Sequence, residues 1–325
     1  MQILENEPMS KHTSFRVGGP ARFFVKAETI DELKQAITLA AEKSLPYFTL
    51  GNGTNLLVAD KGFEGVVITL AGEFSKISDI GTGSFKVGAA VPLGRFARMA
   101  LKQGYAGIHK LAGIPGTLGG AIYMNAGAYG QEIGTHCTQV ATLDANGNIR
   151  EYSNNDCAFG YRRSAFQKTG KNGAAHPAGR AFNEDIAQAE IILSATFLLE
   201  SANTAGESQE QTVVRLEAEL AECMAKRKAT QPLNMPNAGS TFKRLERGSV
   251  DMPQQIAPGY YIEQAGLKGY RIGGAEVSTL HANFIVNAGG ATAKDILNLS
   301  DYVKTKVAEK FGIELQREIV LLGSF

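Results

Sequence analysis

Clustered glycine is what most constrains how this chain can fold. Glycine supplies 37 of the 325 residues, above the usual share of about 7%. The excess gathers in runs rather than spreading evenly. Gly51-Asn52-Gly53-Thr54-Asn55 follows the strand-like LPYFTL, and AGIPGTLGGAIYMNAGAYG runs from Ala112 to Gly130. Glycine reaches positive φ and lets backbone approach closely, so such runs close tight turns or let successive N–H groups converge on an anion. Between the turns, GVVITL, FKVGAAV and EIILSATFLL carry the β-branched content of short strands.

Helical patterns are fewer and well marked. Thr29 and Glu32 have capping-box spacing, and Leu33, Ile37 and Leu39/Ala40 recur at helical intervals up to Lys43. The polar ESANTAGESQEQ after Leu199 has little to bury and reads as a linker. A helix then runs from about Gln211 to Lys228, with Val213, Leu216, Leu220 and Met224 on one face. Thr292 and Asp295 frame another helix start, Ile296, Leu299, Val303, Val307 and Phe311 form its stripe, and Gly312 stops it. The final IELQREIVLL alternates. Ile313, Leu315, Arg317, Ile319 and Leu321 share one face, and Glu314, Gln316 and Glu318 the other. KTGKNGAAHPAG, from Lys168, reads as an exposed loop. The fold class expected is α+β, with residues 1–205 forming two α+β subdomains and residues 206–325 a C-terminal domain.

Composition narrows the function classes. A chain that is 44% hydrophobic and 20% charged buries a sizeable core. Its 33 basic and 32 acidic residues leave a formal charge of +1, so the electrostatic footprint of a nucleic-acid binder is missing. Cys137, Cys157 and Cys223 are scattered without a CxxC or Cys/His cluster, which suggests neither a metal site nor a disulfide framework. MQILENEPMSKHTSF lacks the basic start and apolar run of a signal peptide. No run of 18 apolar residues occurs, so no membrane insertion is expected and the expected location is cytoplasmic.

Neither glycine cluster is a dinucleotide fingerprint, because GxGxxG before a helix is missing, and neither is a P-loop, because no GK[ST] follows. Phosphate or nucleotide binding and plain tight turns both remain open for them. Thr54, Asn55 and Thr117 would add side-chain hydrogen bonds in the first case. GYRRS, from Gly160 to Ser164, carries an arginine pair that suits a carboxylate or phosphate clamp, although a bare pair is ordinarily a solvated turn. In PNAGSTFKR, Ser240 is open to four readings: nucleophile, phosphate anchor, proton donor or turn residue. The nucleophile reading is weakened because G-x-S-x-G is incomplete and no histidine motif supplies a base. His12 and His281 are equally compatible with structural roles.

Taken together, seven ordered segments resemble one family, the MurB or UDP-N-acetylenolpyruvoylglucosamine reductases. They are KHTSFRVGGPA, LGNGTNLLV, AGIPGTLGGAIYMNAGAYG, GYRRSAF, PNAGSTFKR, IEQAGLKGYRIGGAEVSTLHANFIVN and GIELQREIVLLG, covering the chain from about residue 9 to its end. The resemblance implies an FAD-binding domain of the vanillyl-alcohol-oxidase/p-cresol-methylhydroxylase type, followed by a smaller α+β substrate-binding domain. It implies non-covalent FAD, NADPH as co-substrate and a UDP-sugar enolpyruvate as substrate. No room is found after Phe166 for the tyrosine-loop insertion of the longer members, so the chain resembles the shorter, type II form.

The resemblance also implies roles. Ser240 would give a proton to carbon, and Arg162 and Glu318 would sit at the substrate carboxylate. Glu318 would work protonated, beside a like charge, because an ionised carboxylate there would repel the intermediate. FAD would be held by Gly51, Asn52, Gly53, Thr54, Asn55, Gly116, Thr117, Gly119 and Gly120, with Asn125, Gly127 and Arg16 as further contacts. Tyr161, Lys243, Arg244 and Gln264 would contact the substrate. Arg244 stands where many members have asparagine, and a lysine found upstream in some members has no clear counterpart near Thr230. Two other readings predict different behaviour. A flavin oxidase of this fold would be reduced by its substrate rather than by NADPH. A non-catalytic sugar-nucleotide binder would be colourless and tolerate Ser240→Ala.

Overall fold

A computed structural model describes residues 1–167, 190–245 and 257–325. The loop expected from Lys168 to Gly179 lies outside the described residues. Near the N-terminus, Gln2–Pro8 pairs antiparallel with Pro20–Ala27, which continues in parallel to Phe63–Leu70 and then to Tyr47–Leu50. Helix α1 (Ile30–Glu42) buries Leu33, Ala36, Ile37 and Ala40 in one core with Val25, Val66 and Ile68 of this sheet. Only half of its expected capping box forms. The Thr29 hydroxyl accepts the Glu32 N–H, but the Glu32 carboxylate accepts the Glu28 N–H and the terminal ammonium instead.

The next unit is an antiparallel sheet of five strands, in the order Ile149–Ser153, Cys137–Leu143, Ile191–Leu198, Ser84–Gly88 and Ile77–Gly81. Its core takes in α2 (Leu93–Lys102), α3 (Leu118–Met124) and, from α4 (Gln209–Thr230), Leu216 and Leu220. Helix α4 starts inside the stretch expected to be a linker, because Ser208 and Gln211 form a complete capping box. The apolar face of α4 thus packs with the second core rather than with the C-terminal strands.

Those strands, Arg271–Ile272, Ala275–Val277 and Ile285–Asn287, form an antiparallel sheet. They share a core with α5 (Pro258–Gln264) and α6 (Ala293–Phe311), to which Phe15, Val17 and Leu57 also belong. Thr292 and Asp295 make the expected capping box at α6, and Gly312 ends the helix with φ +68°. The Asp60 carboxylate adds a long-range cap, accepting the Ala293 and Lys294 N–H groups at 2.8 and 2.9 Å.

The long C-terminal strand expected from the alternation is shortened to Val320–Leu322, which pairs in parallel with Leu56–Val58. The alternation itself persists: Leu315, Arg317, Ile319 and Leu321 are buried, while Glu314 and Gln316 are exposed. The reason is that the neighbours of this segment come from separate pieces. Arg317 bridges Phe242, and the parallel pairing begins only at Val320. Arg317 is structural, donating to Ser300 and pairing with Asp301.

Candidate active site

Both glycine clusters open onto one cavity of about 930 Å³, which also receives Arg162, Ser240 and Glu318. That volume lies near the upper end of the roughly 300–1,000 Å³ common for small-molecule sites. Gly51, Asn52, Gly53, Thr54 and Asn55 all line it, as do Gly116, Thr117, Gly119, Gly120, Gly127 and Arg16.

The first cluster is seated on the Lys11–Arg16 segment. The Gly53 carbonyl accepts the Ser14 N–H at 3.1 Å and its hydroxyl at 3.3 Å. Gly53 has φ +60°, and a Cβ there would lie 2.1 Å from the His12 carbonyl oxygen, so only glycine fits. The second cluster begins α3, where the Thr117 hydroxyl accepts the Gly120 N–H. A Cβ at Gly116 or Gly120 would meet no atom closer than 3.7 Å, so bare backbone faces open space. An extended cavity edged by bare backbone fits a dinucleotide such as FAD. Arg16 adds a positive charge, and its side chain has no hydrogen-bond partner among the described residues.

Ser240 sits on a turn locked from below. The Asn237 side chain accepts the Gly239 N–H at 2.9 Å and donates to the Met235 and Pro232 carbonyls at 2.7 and 3.1 Å. The half-buried Ser240 hydroxyl has no partner among the described residues. Next to it, the Thr241 carbonyl accepts the Glu318 N–H at 2.8 Å. The Glu318 carbonyl accepts Asn55 Nδ2 at 3.1 Å. Glu318 therefore joins the serine turn to the first glycine cluster through its own backbone.

Its carboxylate Oε1 accepts Arg162 Nε at 2.6 Å, with 22% of the arginine and 12% of the glutamate side chain exposed. A cation therefore sits directly against the Glu318 carboxylate. Arg162 has φ +49° within the tight turn from Gly160 to Arg163, and its Nη2 donates to the Gly127 carbonyl at 3.2 Å.

Several expected contacts lie elsewhere. Asn125 does not face the cavity: it is buried, with its amide spent on Gly134, Glu132 and Gly160. Gln264 is exposed at the end of α5, because that helix turns Tyr261 and Ile262 inward. Its carbonyl accepts Lys310 Nζ rather than facing the cavity. Tyr161, Lys243 and Arg244 sit beside the site without lining it. The Tyr161 hydroxyl accepts the Arg244 N–H at 3.2 Å, and the Lys243 N–H donates to Gln316.

Among the lining residues missed in the sequence, one carries a charge suited to a ligand. Arg227, one turn before Thr230, projects from α4 into the cavity together with Met224. Burial pulls its guanidinium below the usual arginine range, and it has no acidic partner among the described residues. Its spacing three residues after Met224, on the inward side of the helix, was the available signal. Among the described residues there is no cluster of three or more His, Cys, Asp or Glu fit to hold a metal. No described helix is long and apolar enough to cross a membrane.

Two family descriptions match the chain. Residues 21–153 match an FAD-binding domain, and residues 231–322 match the C-terminal domain of UDP-N-acetylenolpyruvoylglucosamine reductase. The chain is 40% identical over 321 residues to the reductase of that name from Alkaliphilus oremlandii, covering 99% of this chain and 93% of the relative. It is 41% identical over 324 residues to the one from Caldanaerobacter subterraneus, covering 98% and 93%. The crystal structure of the Thermus caldophilus reductase (MurB) superposes with a TM-score of 0.73 at 32% identity, covering 99% of this chain and 98% of that one.

Proposed function

The chain belongs to the UDP-N-acetylenolpyruvoylglucosamine reductase family, and we propose that Ser240, Arg162 and Glu318 carry its chemistry. It is an FAD-dependent oxidoreductase that reduces UDP-N-acetylglucosamine enolpyruvate to UDP-N-acetylmuramate, with NADPH as reductant, in peptidoglycan precursor synthesis. The observation that carries the residue assignment is the Arg162–Glu318 pair, set in the same cavity as a serine hydroxyl that has no partner among the described residues. When bound, FAD supplies the hydride chemistry, taking a hydride from NADPH and giving one to the substrate.

The chain's own residues supply charge and proton. Hydride addition to the terminal carbon of the enolpyruvyl C=C leaves an electron pair on the neighbouring carbon, delocalised into its carboxylate. Arg162 offsets that charge with a fixed guanidinium, and Glu318 holds the guanidinium in place. The Ser240 O–H then gives its proton to the neighbouring carbon, completing the addition of hydride and proton across the double bond. The serine is reprotonated from the cavity side, where its hydroxyl is open.

Gly51 to Asn55 would hold FAD through backbone N–H groups, whereas Gly116 to Gly120 would edge it with bare backbone, since the Gly116, Leu118 and Gly119 N–H groups are donated to the Ile114, Val91 and Ala89 carbonyls. Gly127 and Arg16 would stand at the edge. Arg227 supplies the cation that some relatives place on a lysine, and it suits a nucleotide phosphate. Tyr161, Lys243 and Arg244 guide the substrate at the cavity mouth. The working location is the cytoplasm, where the nucleotide sugar and NADPH are available. Stopped-flow absorbance tests the assignment. NADPH should bleach the flavin and the enolpyruvyl substrate should restore it. A flavin that NADPH leaves oxidised would refute the reductase reading.

A further inference from the structure

We propose that Asn125 is a positioning residue for Arg162, so that reduction of the enolpyruvyl group depends on a side chain that never meets the substrate. The inference rests on the role given to Arg162 above. Asn125 is 1% exposed and ends α3 in the left-handed conformation, with φ +42°. After glycine, asparagine is among the residues that best tolerate that conformation. Its side chain Oδ1 accepts the Gly134 N–H at 3.0 Å, and Nδ2 donates to Glu132 Oε2 at 3.0 Å and to the Gly160 carbonyl at 2.9 Å. Both amide hydrogens are spent, so neither is left to donate to a cavity ligand.

The partners of that amide are the two walls that hold Arg162. Gly160 begins the turn that carries the arginine backbone, and it exchanges N–H···O bonds of 3.0 Å with Arg163 in both directions. Glu132 stands directly opposite Gly127 in the small hairpin of Gly127–Ala128 and Gln131–Glu132. The Gly127 carbonyl is the second acceptor of the Arg162 guanidinium. One buried amide therefore fixes the backbone end and the guanidinium end of Arg162 to a common point. The far side of the turn is bolted by Gln167, whose Nε2 donates to the Arg162 and Tyr123 carbonyls at 3.1 and 2.8 Å. Arg162 itself occupies a left-handed conformation that a non-glycine residue keeps only when its surroundings hold it.

A double-mutant cycle on the substrate-driven reoxidation of reduced flavin tests this in the full-length holoenzyme. Asn125→Gly keeps the left-handed turn and removes the amide. Asn125→Asp keeps the acceptor toward Gly134 and loses both donors. Each should slow reoxidation roughly 10- to 100-fold, the cost of an ångström-scale displacement of a catalytic group, while NADPH still bleaches the flavin at close to the parent rate. In the Arg162→Ala background, either change should cost no more than about threefold further, because residues acting through one group are not additive.

The proposal is overturned if both single variants reoxidise at the parent rate, or if their losses multiply with that of Arg162→Ala. Loss of flavin from both Asn125 variants would also overturn it, by placing the amide in service of the cofactor fold. Should Arg162→Ala alone reoxidise normally, the role of Arg162 falls, and this proposal with it. A slow Arg162→Ala with multiplicative losses refutes the proposal alone.

Discussion

Arg162 Nε donates to Glu318 Oε1 over 2.6 Å, although 156 residues separate the two in the chain. The pair joins the second sheet unit, through the turn at Gly160, to the segment that returns to the glycine loop. Neither residue belongs to a long regular element, so the contact depends on the hydrogen bonds that hold each turn. Arg162 is fixed at a second point by the Gly127 carbonyl. A planar guanidinium serves both acceptors at once, which an ammonium group cannot do with the same geometry.

Arg162→Lys should therefore keep the charge and lose the orientation. We expect kcat to fall by roughly 10²-fold, in line with a misplaced catalytic group. Steady-state kinetics at saturating NADPH would measure it. A variant within twofold of the parent would mean that charge alone suffices.

Ser240→Ala should leave the NADPH bleaching step intact and slow reoxidation by substrate about 10²–10⁴-fold, the range for loss of a positioned acid. The turn itself should survive, because Asn237 rather than Ser240 holds it. Equal slowing of both half-reactions in stopped flow would assign the serine a structural role instead.

The two glycine clusters should respond differently to an added methyl group. Gly53→Ala places a Cβ against the His12 carbonyl at a positive φ, so folding and flavin content should fall together. Gly116→Ala meets nothing closer than Thr54 Oγ1 at 3.7 Å. It should keep the fold and the parent Tm yet bind FAD more weakly, as read by the flavin absorbance that survives dialysis. Unchanged FAD retention in Gly116→Ala would place the cofactor elsewhere in the cavity.

Burial lowers the His109 imidazole below its ordinary value, opposed in part by a hydrogen bond to Glu219. Burial likewise lowers His281. Each is thus harder to protonate in the folded protein than in the unfolded chain. Their contribution to stability is complete above the unfolded value near 6.5 and is lost as pH falls from there through the lower folded value. The urea midpoint should drop over that window, and His109→Gln should flatten the slope. An identical slope in that variant would remove His109 from the account.

Asp60→Ala leaves two N–H groups at the start of α6 without their acceptor. The expected cost is about 1–2 kcal/mol, in the range for loss of a helix cap. Differential scanning calorimetry should show a lower Tm with the flavin spectrum retained. No shift in Tm would mean that the Thr292–Asp295 capping box alone suffices at that end.

Local rules carried much of this fold in plain view. Thr292 with Asp295 and the stripe from Ile296 to Phe311 were readable because a helix cap and a helix face are set by residues three and four apart. Gly53 was readable as a turn glycine for a similar reason. Ser208 was overlooked as a cap because the polar stretch around it resembles a linker until the apolar face of α4 finds the second core. That Gln264 and Asn125 lie off the cavity was hidden for a different reason. The direction of a polar side chain at the end of a helix depends on what the rest of that helix packs against.

What the sequence determined by itself was the inventory: two glycine clusters, a serine after an Ala-Gly pair, an arginine pair and an alternating C-terminal segment bearing a glutamate. Seven ordered motifs were specific enough to point to the family. Only the tertiary structure decided that the carboxylate of Glu318 meets a guanidinium, that Asn125 spends its amide on Gly134, Glu132 and Gly160, and that Arg227 enters from α4. Each of these includes a contact between segments dozens to hundreds of residues apart. Local propensity reaches a few residues along the chain, whereas such contacts are fixed by how separate cores pack together and by where buried polar groups find their partners.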